Sequence, residues 1–245
     1  MKDDLDLALR KPVSTPVVER TPAPASPSLA KRLCSEGLGT ALLLATVVGS
    51  GIMGEKLAGG NTAIALLANS LATGTGLVAL ILTFGPLSGA HFNPVVTLTL
   101  AARRETPWKE VPLYILVQVF GAILGVWMAH YMFELPILQA SRHVRTGGPQ
   151  WASELLATAG LLAVIFGCAK GRPSAVPFAV GGYITAAYWF TSSTSFANPA
   201  VTLARAFTDT FAGIRPMDVA GFVIAQLLGA AAATVLFGWL TSEDS

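Results

Sequence analysis

An all-α membrane protein, with six transmembrane helices and two short re-entrant half-helices set out as two inverted repeats, is the fold class this sequence predicts. Composition, the length of its apolar runs and an internal duplication carry that expectation. Of 245 residues, 53% are apolar and 12% charged, where a soluble domain has roughly 25% charged. The formal charge is +2, and the basic residues sit in short clusters between apolar runs rather than on one stripe, which argues against a nucleic-acid partner. Cys34 and Cys168 have no CxxC or Cys/His cluster around them, so they supply neither a disulfide framework nor a zinc site, and no metal or cofactor is expected.

In chain order, residues 1–32 come first. Pro12, Pro16, Pro22, Pro24 and Pro27 stand there among Ser, Thr and Ala, a composition that buries too little surface to fold. The segment is expected to be a disordered, Pro-rich cytoplasmic tail rather than a cleaved leader, because it is polar and the first apolar run exceeds a signal-peptide core. Six spans follow at Leu33 to Gly54, Ala63 to Phe84, Val111 to Phe133, Ala152 to Ala169, Ala175 to Ser192 and Val219 to Leu240, each near the ~20 residues a bilayer requires. Two further apolar runs, Asn93 to Ala102 and Asn198 to Phe207, are too short to cross. With both termini on the cytoplasmic side, Lys31, Arg32, Arg103, Arg104, Lys109, Lys170 and Arg172 lie inside with the tail's basic residues, against Lys56, Arg142, Arg145, Arg205 and Arg215 outside. That is the orientation the positive-inside rule favours.

The duplication organises the spans. Asn93-Pro94-Val95-Val96-Thr97-Leu98 recurs as Asn198-Pro199-Ala200-Val201-Thr202-Leu203. Glu36 with Thr40 matches Glu154 with Thr158, and Gln118-x-x-Gly121-Ala122 matches Gln226-x-x-Gly229-Ala230. Three markers in the same order define one channel domain over 33–242, with repeat one at 33–133 and repeat two at 151–240. Each repeat holds an odd number of spans, so the second enters the membrane from the opposite side, and equivalent segments are related by a pseudo-two-fold axis near the midplane.

Asn-Pro has a specific local meaning. Asn is a favoured helix N-cap, and Pro suits the first helical position, where its missing N–H costs nothing. Each short run therefore starts a helix of about ten residues, roughly 15 Å long, half of a ~30 Å hydrocarbon core. The strings leading in, from Gly85 and from Thr191, are irregular, and such backbone is tolerated at depth only beside a wet cavity or inside protein. Carbonyls of Gly89, Ala90, His91, Thr194, Ser195 and Phe196 are thus expected to line a file of water or another polar solute.

Ser88-Gly89-Ala90-His91-Phe92-Asn93-Pro94, paired with Asn198-Pro199-Ala200, resembles the aquaporin, or major intrinsic protein, family over about residues 33 to 240. The resemblance implies six tilted spans with two half-helices, one pore per subunit, a homotetramer in the cell membrane, and a passive channel rather than an enzyme. It implies that the boxes Asn93-Pro94-Val95 and Asn198-Pro199-Ala200 meet in the pore. Glu36 and Glu154 then accept from loop N–H groups instead of relaying protons, with Gln118 and Gln226 bracing the loops. His91 reads as a fixed bracing or lining residue, and Trp108, Trp151 and Trp239 as interfacial anchors.

At one place the sequence departs from the family. Val201 stands three residues after the second box Asn, where most members have Arg. The nearest arginine, Arg205, reads as an end-of-helix side chain that snorkels to the interface. Spacing carries the remaining filter positions to Thr73, Ala186 and Ser195; with Val201 all four are small, and a slip of one would substitute Thr194 or Phe196. A wide, weakly polar, uncharged constriction is therefore expected, passing water, glycerol-like polyols and uncharged metalloid acids such as arsenous and antimonous acid. This filter is similar to that of bacterial aquaglyceroporins associated with arsenic resistance. The alternatives are an ordinary water or glycerol pore in which Arg205 restores the filter, and, more remotely, a secondary active transporter, which would need a coupling site.

Overall fold

A computed structural model describes residues 27–240 of the chain. Eight α-helices are found among them: α1 (Leu29–Leu57), α2 (Thr62–Ser88), α3 (Pro94–Ala102), α4 (Val111–Met132), α5 (Gly148–Gly171), α6 (Val176–Phe190), α7 (Pro199–Arg205) and α8 (Val219–Leu240). Five of these (α1, α2, α4, α5 and α8) are long and apolar enough to cross a membrane on length and composition. The expected span at 175–192 is shorter than its neighbours: α6 has 15 residues, preceded by a 3-10 turn at Pro173–Ala175. It ends because Thr191 is already extended, at φ −109° and ψ 139°, where the chain turns into the loop before α7.

The expectation of a disordered tail needs correcting at its end. Leu29 to Arg32 form the first turn of α1, and Arg32 makes a bidentate ion pair of 2.7 and 3.0 Å with Glu110, just before α4. Residues 1–26, the rest of that expectation, lie outside the described residues, as do 241–245.

The packing follows the duplication. In the first repeat α1 packs on α2 and α4; in the second, α5 packs on α6 and α8. The equivalent helices α2 and α6 pack on one another, and α3 and α7 meet, as elements beside a pseudo-two-fold axis must. Small residues set the separations. A Cβ on Gly121 would collide with the Gly37 carbonyl, and one on Gly229 with the Leu155 carbonyl. These positions, each three after its repeat's glutamine, let α4 and α8 lie directly on backbone, the close approach that joins helices in lipid. Many large apolar side chains face outward, among them Leu116, Phe120, Leu156, Phe178, Ile224 and Val235. In lipid such a surface needs no further cover.

Both half-helices begin as the capping argument requires. Asn93 Oδ1 accepts from Val95 N at 3.1 Å; Asn198 Oδ1 accepts from Ala200 N at 3.0 Å and Val201 N at 3.3 Å. α3 runs nine residues, but α7 only seven, against the ten expected. α7 stops early because the chain folds back on its end: Ile214 N donates to the Arg205 carbonyl at 3.2 Å.

Candidate functional site

The site is built from two loops that share one conformation. Relative to each box asparagine, the residues four, three and one before it have positive φ: Gly89 (91°), Ala90 (48°) and Phe92 (48°) in the first loop, Thr194 (60°), Ser195 (50°) and Ala197 (48°) in the second. Left-handed backbone at non-glycine residues is uncommon, and it persists where surroundings over-determine it. Here the surroundings are two buried carboxylates. Glu36 Oε1 accepts from His91 N (2.9 Å) and Ser88 Oγ (2.7 Å), and its Oε2 from Phe92 N (2.8 Å) and Gln118 Nε2 (2.9 Å). Glu154 accepts from Phe196 N (2.8 Å), Ala197 N (2.9 Å) and Gln226 Nε2 (2.6 Å). The glutamine amides continue to Thr97 and Thr202 Oγ1, at 3.0 and 2.8 Å. With its loop N–H groups spent on glutamate, each loop turns carbonyls the other way: no protein donor among the described residues reaches those of Gly89, Ala90, His91, Thr194, Ser195 or Phe196.

The two boxes are tied across the axis. Asn93 Nδ2 donates to the Ala197 carbonyl and Asn198 Nδ2 to the Phe92 carbonyl, both at 2.8 Å. An amide nitrogen carries two hydrogens, so each asparagine keeps one N–H, and both residues line a cavity of about 130 Å³. Pro94, Val95, Pro199 and Ala200 do not line it; they build the helix starts, and Val95 is buried in the apolar cluster with Leu162 and Phe166. Gly89, Ala90, His91, Ser195 and Phe196 line the cavity, while Thr194 lines a second, wider cavity of about 460 Å³ at the mouth beside α7.

Helical stripes supply the rest of the wall. Val176, Val180, Ile184 and Tyr188 of α6 recur every four residues; Thr73, Leu77 and Ile81 do so on α2; Val96 and Leu100 on α3 mirror Val201 and Arg205 on α7. Three of the four expected filter positions, Thr73, Ser195 and Val201, are on the wall. Ala186 is not. It is exposed on the far side of α6, and the residue facing the lumen is Tyr188, 3% exposed, whose hydroxyl donates to Thr73 Oγ1 at 3.3 Å. Two residues on a helix are about 200° of rotation, so a position counted back from Asn198 through irregular loop lost the helix phase. The 180, 184, 188 periodicity was the available signal.

Arg205 overturns a second expectation. It does not snorkel: the side chain is 2% exposed, its Nε donates to the Ala212 carbonyl, and its guanidinium lies 3.4 Å from the Phe196 ring centroid. It lines both cavities. The physical reason is the helix period, since four residues after Val201 is the same face one turn on. The wall is therefore neither uncharged nor built only of small side chains. Sequence reasoning also missed Arg145, which lies in the segment before α5, lines the wider cavity and has its guanidinium 5.1 Å from the same Phe196 ring.

A bundle of apolar spans around a lumen at which two capped half-helices meet defines a membrane channel. The chain belongs to the Major intrinsic protein family, whose sequence model matches residues 24–188. Aquaglyceroporin AqpS of Rhizobium meliloti (strain 1021) is 55% identical over 212 residues, covering 86% of this chain and 91% of that protein. Aquaporin NIP2-3 of Zea mays is 34% identical over 200 residues, 77% of this chain and 64% of its own length. The X-ray structure of the aquaglyceroporin from Plasmodium falciparum covers 86% of this chain with a TM-score of 0.69 at 20% identity, a likeness of fold.

Proposed function

We propose that the protein is a passive channel for water and small uncharged solutes, conducting glycerol-sized polyols and the uncharged trihydroxy acids of arsenic and antimony. The observation that carries this reading is the lumen wall. Two asparagine amides offer donors at its centre, a ladder of unpaired carbonyls offers acceptors along it, and apolar stripes fill the remainder. A neutral polyol can exchange its hydration for that ladder while its carbon face meets Leu77, Ile184 and Val201, whereas a cation meets two half-helix N-termini and Arg205. Val201 leaves the wall apolar at the position where the family resemblance implies an arginine. The names of the aquaglyceroporin relatives support a polyol substrate.

A second reading has its own observation. Because the Arg205 guanidinium is held at the mouth, it can narrow the channel to water and glycerol and reject the larger acids. Stopped-flow light scattering on proteoliposomes separates the two, comparing water, glycerol and arsenous acid for the native chain, Val201→Arg and Arg205→Leu. Fast arsenous acid and glycerol flux that Val201→Arg abolishes supports the wider channel. Glycerol flux without arsenous acid flux, with the acid admitted by Arg205→Leu, supports the narrower one.

The placement rests on the same reading: one channel domain over 33–242, both termini cytoplasmic, in the cell membrane as a homotetramer with one pore per subunit. Lys31 and Arg32 at the start of α1, Arg103 and Arg104 after α3 and Lys109 before α4 are the basic residues that support an inside face there.

A further inference from the structure

The mouth beside α7 holds two guanidinium groups that no carboxylate among the described residues pairs with. The Arg205 guanidinium touches the Ala212 carbonyl and the Phe196 ring. Arg145 gives Nε to the Gly213 carbonyl at 2.8 Å and Nη1 to the Ser193 carbonyl at 3.2 Å, and shares the Phe196 ring. Both line the wider cavity together with Asn61, His143 and Thr194. Two neighbouring acids are engaged elsewhere. Glu154 is spent on loop N–H groups and Gln226, and Asp218 pairs with Arg215 at 2.8 Å while accepting only the backbone N–H of Arg145. Glu55, also on this wall, is exposed. Burial holds the Arg145 guanidinium below its ordinary range, against the opposing pull of Glu154. A buried cation beside a second, half-buried one on the same wall is costly without a counter-charge. Arg145 Nη2 and both terminal nitrogens of Arg205 have no protein acceptor among the described residues.

We propose that this vestibule is a seat for a small tetrahedral oxyanion of the sulfate or phosphate class, held between Arg145 and Arg205, and that an occupied seat obstructs solute entry. Guanidinium forks match the oxygens of such an anion, and charge-assisted hydrogen bonds are the strong ones. Obstruction follows from position, since Arg205 lines the pore and the vestibule alike. Only the obstruction, not the binding, rests on the channel reading above.

The test compares sodium sulfate with sodium chloride at matched ionic strength on the full chain. In detergent, sulfate is expected to raise the thermal-unfolding midpoint beyond the chloride control for the native protein and for Arg145→Lys, which keeps the charge, with the extra rise lost in Arg145→Gln and in Arg205→Gln. In proteoliposomes, saturating sulfate outside should slow native glycerol flux by roughly twofold or more. A sulfate response no larger than that of chloride, or one undiminished in Arg145→Gln, overturns the seat. Stabilisation by sulfate with unchanged glycerol flux overturns the obstruction. Stabilisation in a protein that passes neither water nor glycerol would sink the channel reading and leave the seat standing.

Discussion

Asn198 shows how much a single side chain does in this wall. Its Oδ1 caps α7 and its Nδ2 satisfies the Phe92 carbonyl of the other repeat. Asn198→Leu removes both and leaves that carbonyl buried without a donor, a cost of about 1–3 kcal/mol. Neutral-solute flux is expected to fall by roughly tenfold or more as the central donor disappears, read by stopped-flow at equal reconstituted protein. Tyr188 acts by bulk. Tyr188→Ala should raise the flux of a four-carbon polyol relative to water by roughly threefold or more, while Tyr188→Phe, which loses only the hydrogen bond to Thr73, should leave the ratio near native; an unchanged ratio in both would remove Tyr188 from the constriction. Glu154 is a matter of acceptors. Glu154→Gln replaces a carboxylate that takes three N–H donors with one oxygen and an amide facing those same donors. The expected loss of about 3 kcal/mol or more should appear as a lower unfolding midpoint in detergent. The pairings of these residues were legible because each chemical marker occurs twice. Tyr188 and Arg205 were not reached that way, because neither has a chemical twin: the residue matching Arg205 in the first half-helix is Leu100.

Between elements, separation is set by absent side chains. α8 lies against the Leu155 carbonyl only because residue 229 is glycine; Gly229→Val is expected to push α5 and α8 apart at a cost of about 1–3 kcal/mol, lowering the monodisperse fraction in detergent size-exclusion chromatography. The loop after α7 is tied by charge. The Arg142 N–H and guanidinium hold the Asp209 carboxyl below its usual range. A depressed carboxylate contributes stability that is present above its unfolded value of 3.8 and lost as pH falls toward the lower folded one. Asp209→Asn should therefore lower the unfolding midpoint at pH 7, and the gap from native should narrow as pH falls below 3.8; a gap independent of pH would refute the ion pair's role. Element boundaries were legible where apolar runs are long, as for α4 and α8. They shifted where the chain must turn into or out of a pore loop, as at Thr191 and after Arg205, because there tertiary hydrogen bonds rather than local composition end the helix.

For the whole molecule, two three-span repeats in opposite orientation bring two half-helices from opposite faces to one central point, so that neither Asn-Pro box forms a pore alone. What composition, run length and duplication determined was the membrane class, the number of helices, the inverted symmetry and the residues of the two boxes, because lipid demands long apolar helices and a cap motif acts within one turn. What only the folded chain decided was which face of each helix meets the lumen. That choice depends on the rotation of α6 and α7 against their neighbours, which irregular loops erase from linear spacing. Tyr188 in place of Ala186, and a buried Arg205 in place of an interfacial one, are both matters of helix phase. Arg145 joins Arg205 at Phe196 from a distant stretch of chain, a proximity to which no local pattern points.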